Sequence, residues 1–217
     1  MEFKASAEEM FKLGDISDYT QVDDILPIAS ATVIAINFIG ILARTGIISG
    51  EALNTYFDSF GHEGVLASGS LIILLFQVAR WGYTTFYTKT GHLWSPFVFI
   101  SMLIFVQILH DLIFYYGVIQ TIPAGKNEMI DVLKKYSKEH GPRALAAHAA
   151  FLILVGVIAM LFKERSIMFV LIVSVFAFYI LPFVVTTFGP KPPPPPPPPV
   201  PEKKATPDIL GWNGPRY

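Results

Sequence analysis

Ile167-Met-Phe-Val-Leu-Ile-Val-Ser-Val-Phe-Ala-Phe-Tyr-Ile-Leu-Pro-Phe-Val-Val-Thr-Thr-Phe188 carries no charged side chain from end to end. As a helix rising about 1.5 Å per residue it reaches about 33 Å, enough to cross a hydrocarbon layer of about 30 Å. Runs of the same kind occur at Ile25 to Ala43, Val65 to Tyr87, Ser95 to Ile119 and Ala144 to Phe162. The expected fold is an all-α integral membrane protein with five transmembrane helices, at 25–43, 65–87, 95–119, 144–162 and 167–188. An acidic segment, 1–24, precedes the spans, and a proline-rich tail, 189–217, follows them.

Composition points the same way. Hydrophobic residues make up 53% of the 217 and charged ones 15%, too few to cover the apolar surface of a soluble domain. A net charge of −1 argues against a nucleic-acid binder driven by phosphate neutralisation. Cysteine is absent, which excludes disulfides and thiol catalysis. The first 24 residues include Glu2, Glu8, Glu9, Asp15, Asp18, Asp23 and Asp24 and lack an apolar run beside a basic start. No cleavable signal is expected, and the first span is read as inserting uncleaved.

The connectors carry their own signals. Lys163-Glu-Arg-Ser166 and Thr88 to Trp94 are short enough to force antiparallel neighbours. Between Gln120 and Arg143, the residues Met129, Ile130, Val132, Leu133 and Tyr136 fall at helical spacing opposite Asp131, Lys134, Lys135 and Lys138. That pattern predicts a short amphipathic helix lying on the membrane, with Lys134, Lys135 and Lys138 as membrane-binding residues and Gly141-Pro142 as its stop. Ala52, Leu53, Tyr56, Phe57 and Phe60 form an apolar stripe ended by Gly61, and Ser6-Ala-Glu-Glu9 is a capping box before Met10 and Phe11. Both segments are expected to be short helices resting on the neighbouring spans, with a lipid- or partner-docking surface as the alternative.

Lysine and arginine counts set the orientation. One face carries Lys4, Lys12, Lys89, Lys163 and Arg165; the other carries Arg44, Lys126, Lys134, Lys135, Lys138, Arg143, Lys191, Lys203, Lys204 and Arg216. The excess on the second face predicts an outward or lumenal N-terminus and a cytosolic C-terminus.

Polar residues inside spans are costly unless paired or hydrated, so they are the first place to look for function. They are Asn37, Gln77, Arg80, Gln107, His110 and Asp111, with His148 nearer a span end. Arg80 and Asp111 differ in height by roughly 12 Å, which argues against a direct pair between them on spacing alone. Arg44, His110, Asp111 and His148 all fall in the half of the membrane nearest the basic face, so they form a candidate polar cluster in which an Arg44 to Asp111 contact is allowed. Adjacent His110 and Asp111 diverge by about 100° on a helix, which argues against a shared metal. Neither His-x-x-x-His nor His-Glu-x-x-His occurs, and no cofactor is expected. An interhelical clamp is the leading expectation for the cluster, with a proton or ion path next and catalysis last, so the chain is read as no enzyme.

Pro190-Lys-Pro-Pro-Pro-Pro-Pro-Pro-Pro-Pro-Val-Pro201 is expected to form a polyproline II rod of about 37 Å, a spacer in preference to a ligand for proline-binding grooves. Beyond it, Trp212, Arg216 and Tyr217 are suited to anchoring on a protein surface.

Gln107-Ile-Leu-His-Asp-Leu-Ile-Phe-Tyr-Tyr116, Ile122-Pro-Ala-Gly-Lys-Asn-Glu-Met-Ile-Asp131, Lys135-Tyr-Ser-Lys-Glu-His-Gly141 and Tyr179-Ile-Leu-Pro-Phe183 resemble a family of multi-span membrane proteins of nucleocytoplasmic large DNA viruses, algal viruses included. The resemblance spans roughly Ala79 to Thr187. It implies a structural protein of the virion's internal membrane, derived from host endoplasmic reticulum, with lipid and other virion or capsid proteins as partners and self-association open. It implies no enzymatic activity. Where the family tends to carry an acid near the start of the fourth span, this chain has His148.

Overall fold

Each helix begins and ends where its sequence supplies the means. The computed structural model describes residues 12–186 apart from residue 49. The capping box at Ser6 and the tail with Trp212, Arg216 and Tyr217 lie outside the described residues. Among the described residues six α-helices follow one another: α1 (Ile25–Arg44), α2 (Glu51–Phe86), α3 (Pro96–Phe114), α4 (Glu128–His140), α5 (Arg143–Lys163) and α6 (Ile167–Thr186). Ser95 caps α3 by accepting from the Val98 N–H, with Pro96 in the first turn, where its missing N–H costs nothing. Asn127 caps α4 by accepting from the Ile130 N–H at 3.0 Å, and Gly141 ends it at φ +54°, a conformation that favours glycine.

Five of these helices, all but α4, are long and apolar enough to cross a membrane. By that measure the chain is an integral membrane protein. The helices alternate in direction, so 12–24, 87–95 and 164–166 gather at one end of the bundle, termed here the first face. The second face collects 45–61 and 120–142.

α2 bends at Gly61, whose φ of +44° and ψ of −114° break the helix at the end of the apolar stripe. The portion 51–60 is strapped back across the bend by Tyr56, whose hydroxyl hydrogen-bonds the Gly64 carbonyl at 2.8 Å and the Ser68 hydroxyl at 2.9 Å. α3 continues past Phe114 as a π-helical turn, Tyr115–Ile119, in place of the regular α-helix expected to Ile119.

The bundle is organised round α1, which packs on α6, α5 and α2. It is the most enclosed span, with 56% of its apolar window buried against 17% for α3. Small residues allow the close approach. A methyl group added at Gly40 would sit 2.5 Å from Val184 Cγ1 of α6. Ser30 and Ser174 join α1 to α6 through hydroxyls 2.5 Å apart, and the Asn37 amide donates to the Ala177 carbonyl of α6 and the Val33 carbonyl of its own helix, both at 3.0 Å. The main core joins Ile28, Ala31 and Ala35 of α1 to Phe76 and Tyr83 of α2, Phe99 and Leu103 of α3, and Leu152, Val155 and Met160 of α5. Outward-facing apolar side chains such as Phe97, Phe105, Ile113, Ile172 and Phe176 are left for lipid.

The sequence placed α4 on the membrane surface. In the structure it packs against α2, α5 and the π-helical turn, with Ile130 and Val132 buried. Its apolar stripe is covered at least in part by protein, because the bend at Gly61 lays 51–60 alongside it. Glu139 fixes the junction, accepting from the backbone N–H groups of Glu51 and Ala52 at 3.0 Å each, the first unpaired donors of α2. Those donors, Ala52 foremost, hold the Glu139 carboxyl below the ordinary glutamate range.

Candidate functional site

Two polar constellations sit at opposite ends of the bundle. The first is built on Arg80, six residues short of the end of α2 and so about 9 Å inside it. Its guanidinium and the Asp24 carboxylate are essentially inaccessible, at 0% and 1% exposure. Arg80 Nη2 donates to Asp24 Oδ2 at 2.9 Å, to the Gln21 carbonyl at 2.7 Å and to the Asp18 carbonyl, and Nη1 donates to Gln77 Oε1 at 3.1 Å. Lys163, closing α5, donates to the other carboxylate oxygen of Asp24 at 2.5 Å. One acid thus ties the start of α1 to α2 and to α5.

What delivers the carbonyls is the stretch 12–21, which is not helical and folds back into the first face. Ile16 is completely buried in the main core. The Gly14 N–H donates to the Met160 carbonyl at 3.0 Å, and the Thr84 hydroxyl donates to the Ser17 carbonyl at 2.9 Å. Gly14 is required by proximity, since a Cβ there would lie 2.7 Å from Lys163 Cγ. Two aspartate turns shape the strap, with Asp15 accepting from the Ser17 N–H at 2.8 Å and Asp18 from the Thr20 N–H at 2.9 Å. The Thr20 backbone and hydroxyl donors hold the Asp18 carboxyl below the usual aspartate range.

The second constellation surrounds Asp111 near the second face. Asp111 Oδ2 accepts from the Gln107 amide at 2.6 Å and lies 2.8 Å from His148 Nδ1, while Oδ1 lies 3.1 Å from His110 Nδ1. His110 and Asp111 meet despite the divergence of about 100° between neighbours on a helix. The imidazole is long enough to fold back onto the neighbouring carboxylate despite the angle between their Cβ directions. Rings extend the cluster in both directions. Tyr136 of α4 lies nearly parallel to His148, with centroids 6.0 Å apart, and to His140 at 4.4 Å, and His110 stacks on Phe114 at 5.7 Å.

Of the four residues expected to cluster, the structure brings together His110, Asp111 and His148. Arg44 is placed otherwise. Its Nη1 donates to Asp58 Oδ1 at 2.8 Å and its guanidinium covers the Phe57 ring at 5.4 Å. Asp58 lies on 51–60, which the bend at Gly61 lays beside the end of α1. Two of the three lysines of α4 have protein partners, Lys134 donating to the Ile122 carbonyl and Lys135 pairing with Glu51 at 2.5 Å, whereas Lys138 is exposed.

Chemically, the Arg80 group is a closed ionic lock. Asp111 with two imidazoles is able to exchange a proton, and Gln107 Oε1 beside it is buried without a hydrogen-bond partner among the described residues. No group of three or more His, Asp or Glu side chains among the described residues is placed to hold a metal ion. Neither Asp24 nor the strap was found from sequence, although the unpaired span arginine was a signal that an acid had to be near. No family model, no curated protein and no solved structure matches the chain.

Proposed function

We propose that this chain is a structural membrane protein that stiffens a bilayer and ties it to a protein shell through its C-terminal tail. The observation that carries this is the lock at Arg80, Asp24 and Lys163, together with the Ser30–Ser174 and Asn37–Ala177 contacts. These polar groups are costly in an apolar medium, and here they bind α1 to α2, α5 and α6, which suits a body of fixed shape better than a carrier that must rearrange. The resemblance read from the sequence favours that role in the internal membrane of a large DNA virus, and the lysine and arginine counts favour a tail that faces the cytosol, where it would meet capsid proteins.

Purified particles test it. A scaffold co-purifies with shell proteins in stoichiometric amounts, and removing 208–217 abolishes that attachment. Absence from particles, or attachment unaffected by the deletion, overturns the proposal.

A second reading has one observation in its favour, the Asp111 carboxylate between His110 and His148 beside the unpaired Gln107 oxygen. It is proton-coupled transport. Proton-dependent flux in liposomes that Asp111→Asn eliminates without unfolding the protein would establish it in place of the scaffold.

A further inference from the structure

We infer that α4 and the loop before it form a binding cup for a phosphate monoester, presented by the headgroup of a lipid in the leaflet at the second face. This rests on the membrane placement of the helices and stands whether or not the protein is a scaffold. The cup is a concavity of about 320 Å³ lined by Ala124, Asp131, Lys134, Lys135 and Lys138.

Its shape is built by the chain. Gly125, at φ +79°, turns the loop so that its N–H donates to Asp131 Oδ2 at 2.8 Å, and Lys134 reaches across to the Ile122 carbonyl. The loop is thereby pinned to the helix at two points, with the small Ala124 side chain in the lining between them. The Asp131 carboxylate is engaged by the loop, and Lys134 keeps donors beyond the one given to Ile122. Lys138 has no ion pair among the described residues and is exposed at the rim. Three ammonium groups line the cup with one carboxylate, and Lys135 is shared with Glu51 at 2.5 Å; a phosphate monoester, carrying up to about two negative charges, competes for that ammonium better than a diester, which carries one.

Depth identifies the source. Pro96–Ile119 is 24 residues long and so reaches about 36 Å, longer than a hydrocarbon core of about 30 Å. Ile119 therefore ends near the headgroup layer. Ile122, whose carbonyl Lys134 meets, lies three residues further on, at the level of lipid phosphates. Because α4 turns its apolar side to protein, its lysines are not consumed in holding a half-sunk helix on the bilayer.

The test uses the full chain in zwitterionic detergent, titrated with short-chain phosphatidic acid, short-chain phosphatidylcholine or inorganic phosphate, with bound adducts counted by native mass spectrometry. One phosphatidic acid per chain is expected, with weaker binding of phosphatidylcholine and of free phosphate. Each lysine near an anionic headgroup contributes about fivefold, so Lys138→Gln should weaken the complex about fivefold and Lys135→Gln with Lys138→Gln about 25-fold. Lys89→Gln, on the first face, should leave it unchanged. Lys138 carries no ion pair that its loss would break, so this single variant separates ligand binding from folding. Undiminished binding by Lys138→Gln, or an equal loss in Lys89→Gln, would overturn the site. Inorganic phosphate binding as tightly as phosphatidic acid would overturn the lipid source, and equal binding of phosphatidylcholine would overturn the monoester.

Discussion

Replacing Asp24 with alanine removes the carboxylate that both Arg80 and Lys163 use. Arg80 is wholly inaccessible, so its charge cannot recover hydration where it stands. It would keep the Gln21 and Asp18 carbonyls and Gln77 as neutral acceptors, but these do not replace the lost ion pair. Stranding one partner of a buried pair costs about 3 to 5 kcal/mol, so Asp24→Ala should destabilise the bundle by that amount. Lys163 is about one-third exposed and can turn to water, so Lys163→Gln should cost under about 1 kcal/mol. Asp24→Asn keeps an acceptor and should fall between these two. The decisive comparison adds Arg80→Met: no buried charge is then stranded, although the Asp18 and Gln21 carbonyls and Gln77 lose their donor, so the double variant should be more stable than Asp24→Ala alone by about 1 kcal/mol or more. Reversible unfolding of the purified protein in mixed micelles, followed by circular dichroism, measures all of these. A loss below about 1 kcal/mol in Asp24→Ala, or simple additivity with Arg80→Met, would refute the reasoning.

Other outcomes follow from the geometry. Gly40→Ala should cost about 1 to 3 kcal/mol, because the new methyl meets the branched Val184 at 2.5 Å, and the same unfolding assay should find Gly156→Ala milder, since it meets only the terminal Ile100 methyl at 2.6 Å. Asp111→Ala should cost about 1 to 3 kcal/mol through the loss of contacts with Gln107 and two histidines, and Asp111→Asn less. Glu139 has a folded pKa below its ordinary value, so its contribution is complete above the ordinary glutamate range and is lost as the pH falls through the depressed folded value. Hydrogen exchange at the Glu51 and Ala52 amides should accelerate over that acid window beyond its intrinsic pH dependence, and Glu139→Gln should shift or remove the step.

The spans were legible because a bilayer demands long uncharged runs and the chain has little else. Gly61 and Gly141-Pro142 were legible as helix breaks for a similar reason, since each interrupts an apolar periodicity at a residue able to turn. The strap was not, because 12–21 has no repeating pattern and its place is fixed by backbone contacts to Met160, Thr84 and Arg80, all distant in sequence. Asp24 was read with the acidic segment it ends; only the folded strap shows it as the first acid inside the bundle. Arg44 was directed toward Asp111 on depth alone, while depth says nothing about azimuth, and the bend at Gly61 brought Asp58 to the correct side. The π-helical turn after Phe114 left no signature in the composition of Tyr115–Ile119 that distinguishes it from an ordinary helix end.

The strap also bears on how the protein is made. An arginine entering a bilayer within a helix costs about 2.5 to 3.5 kcal/mol near the centre, and Arg80 arrives in a span whose other residues must offset that cost. Synthesis runs from the N-terminus, so Asp24 and the Asp18 and Gln21 carbonyls already exist, beside α1, when α2 enters the membrane, whereas Lys163 is still to be made. The earliest insertion intermediate therefore already holds a counter-ion for its most awkward residue, provided the strap is free to fold back. A bulky fusion placed close before Gly14 would block that movement and leave Arg80 exposed to lipid during biogenesis, lowering the yield of inserted protein even where the finished bundle could tolerate the addition.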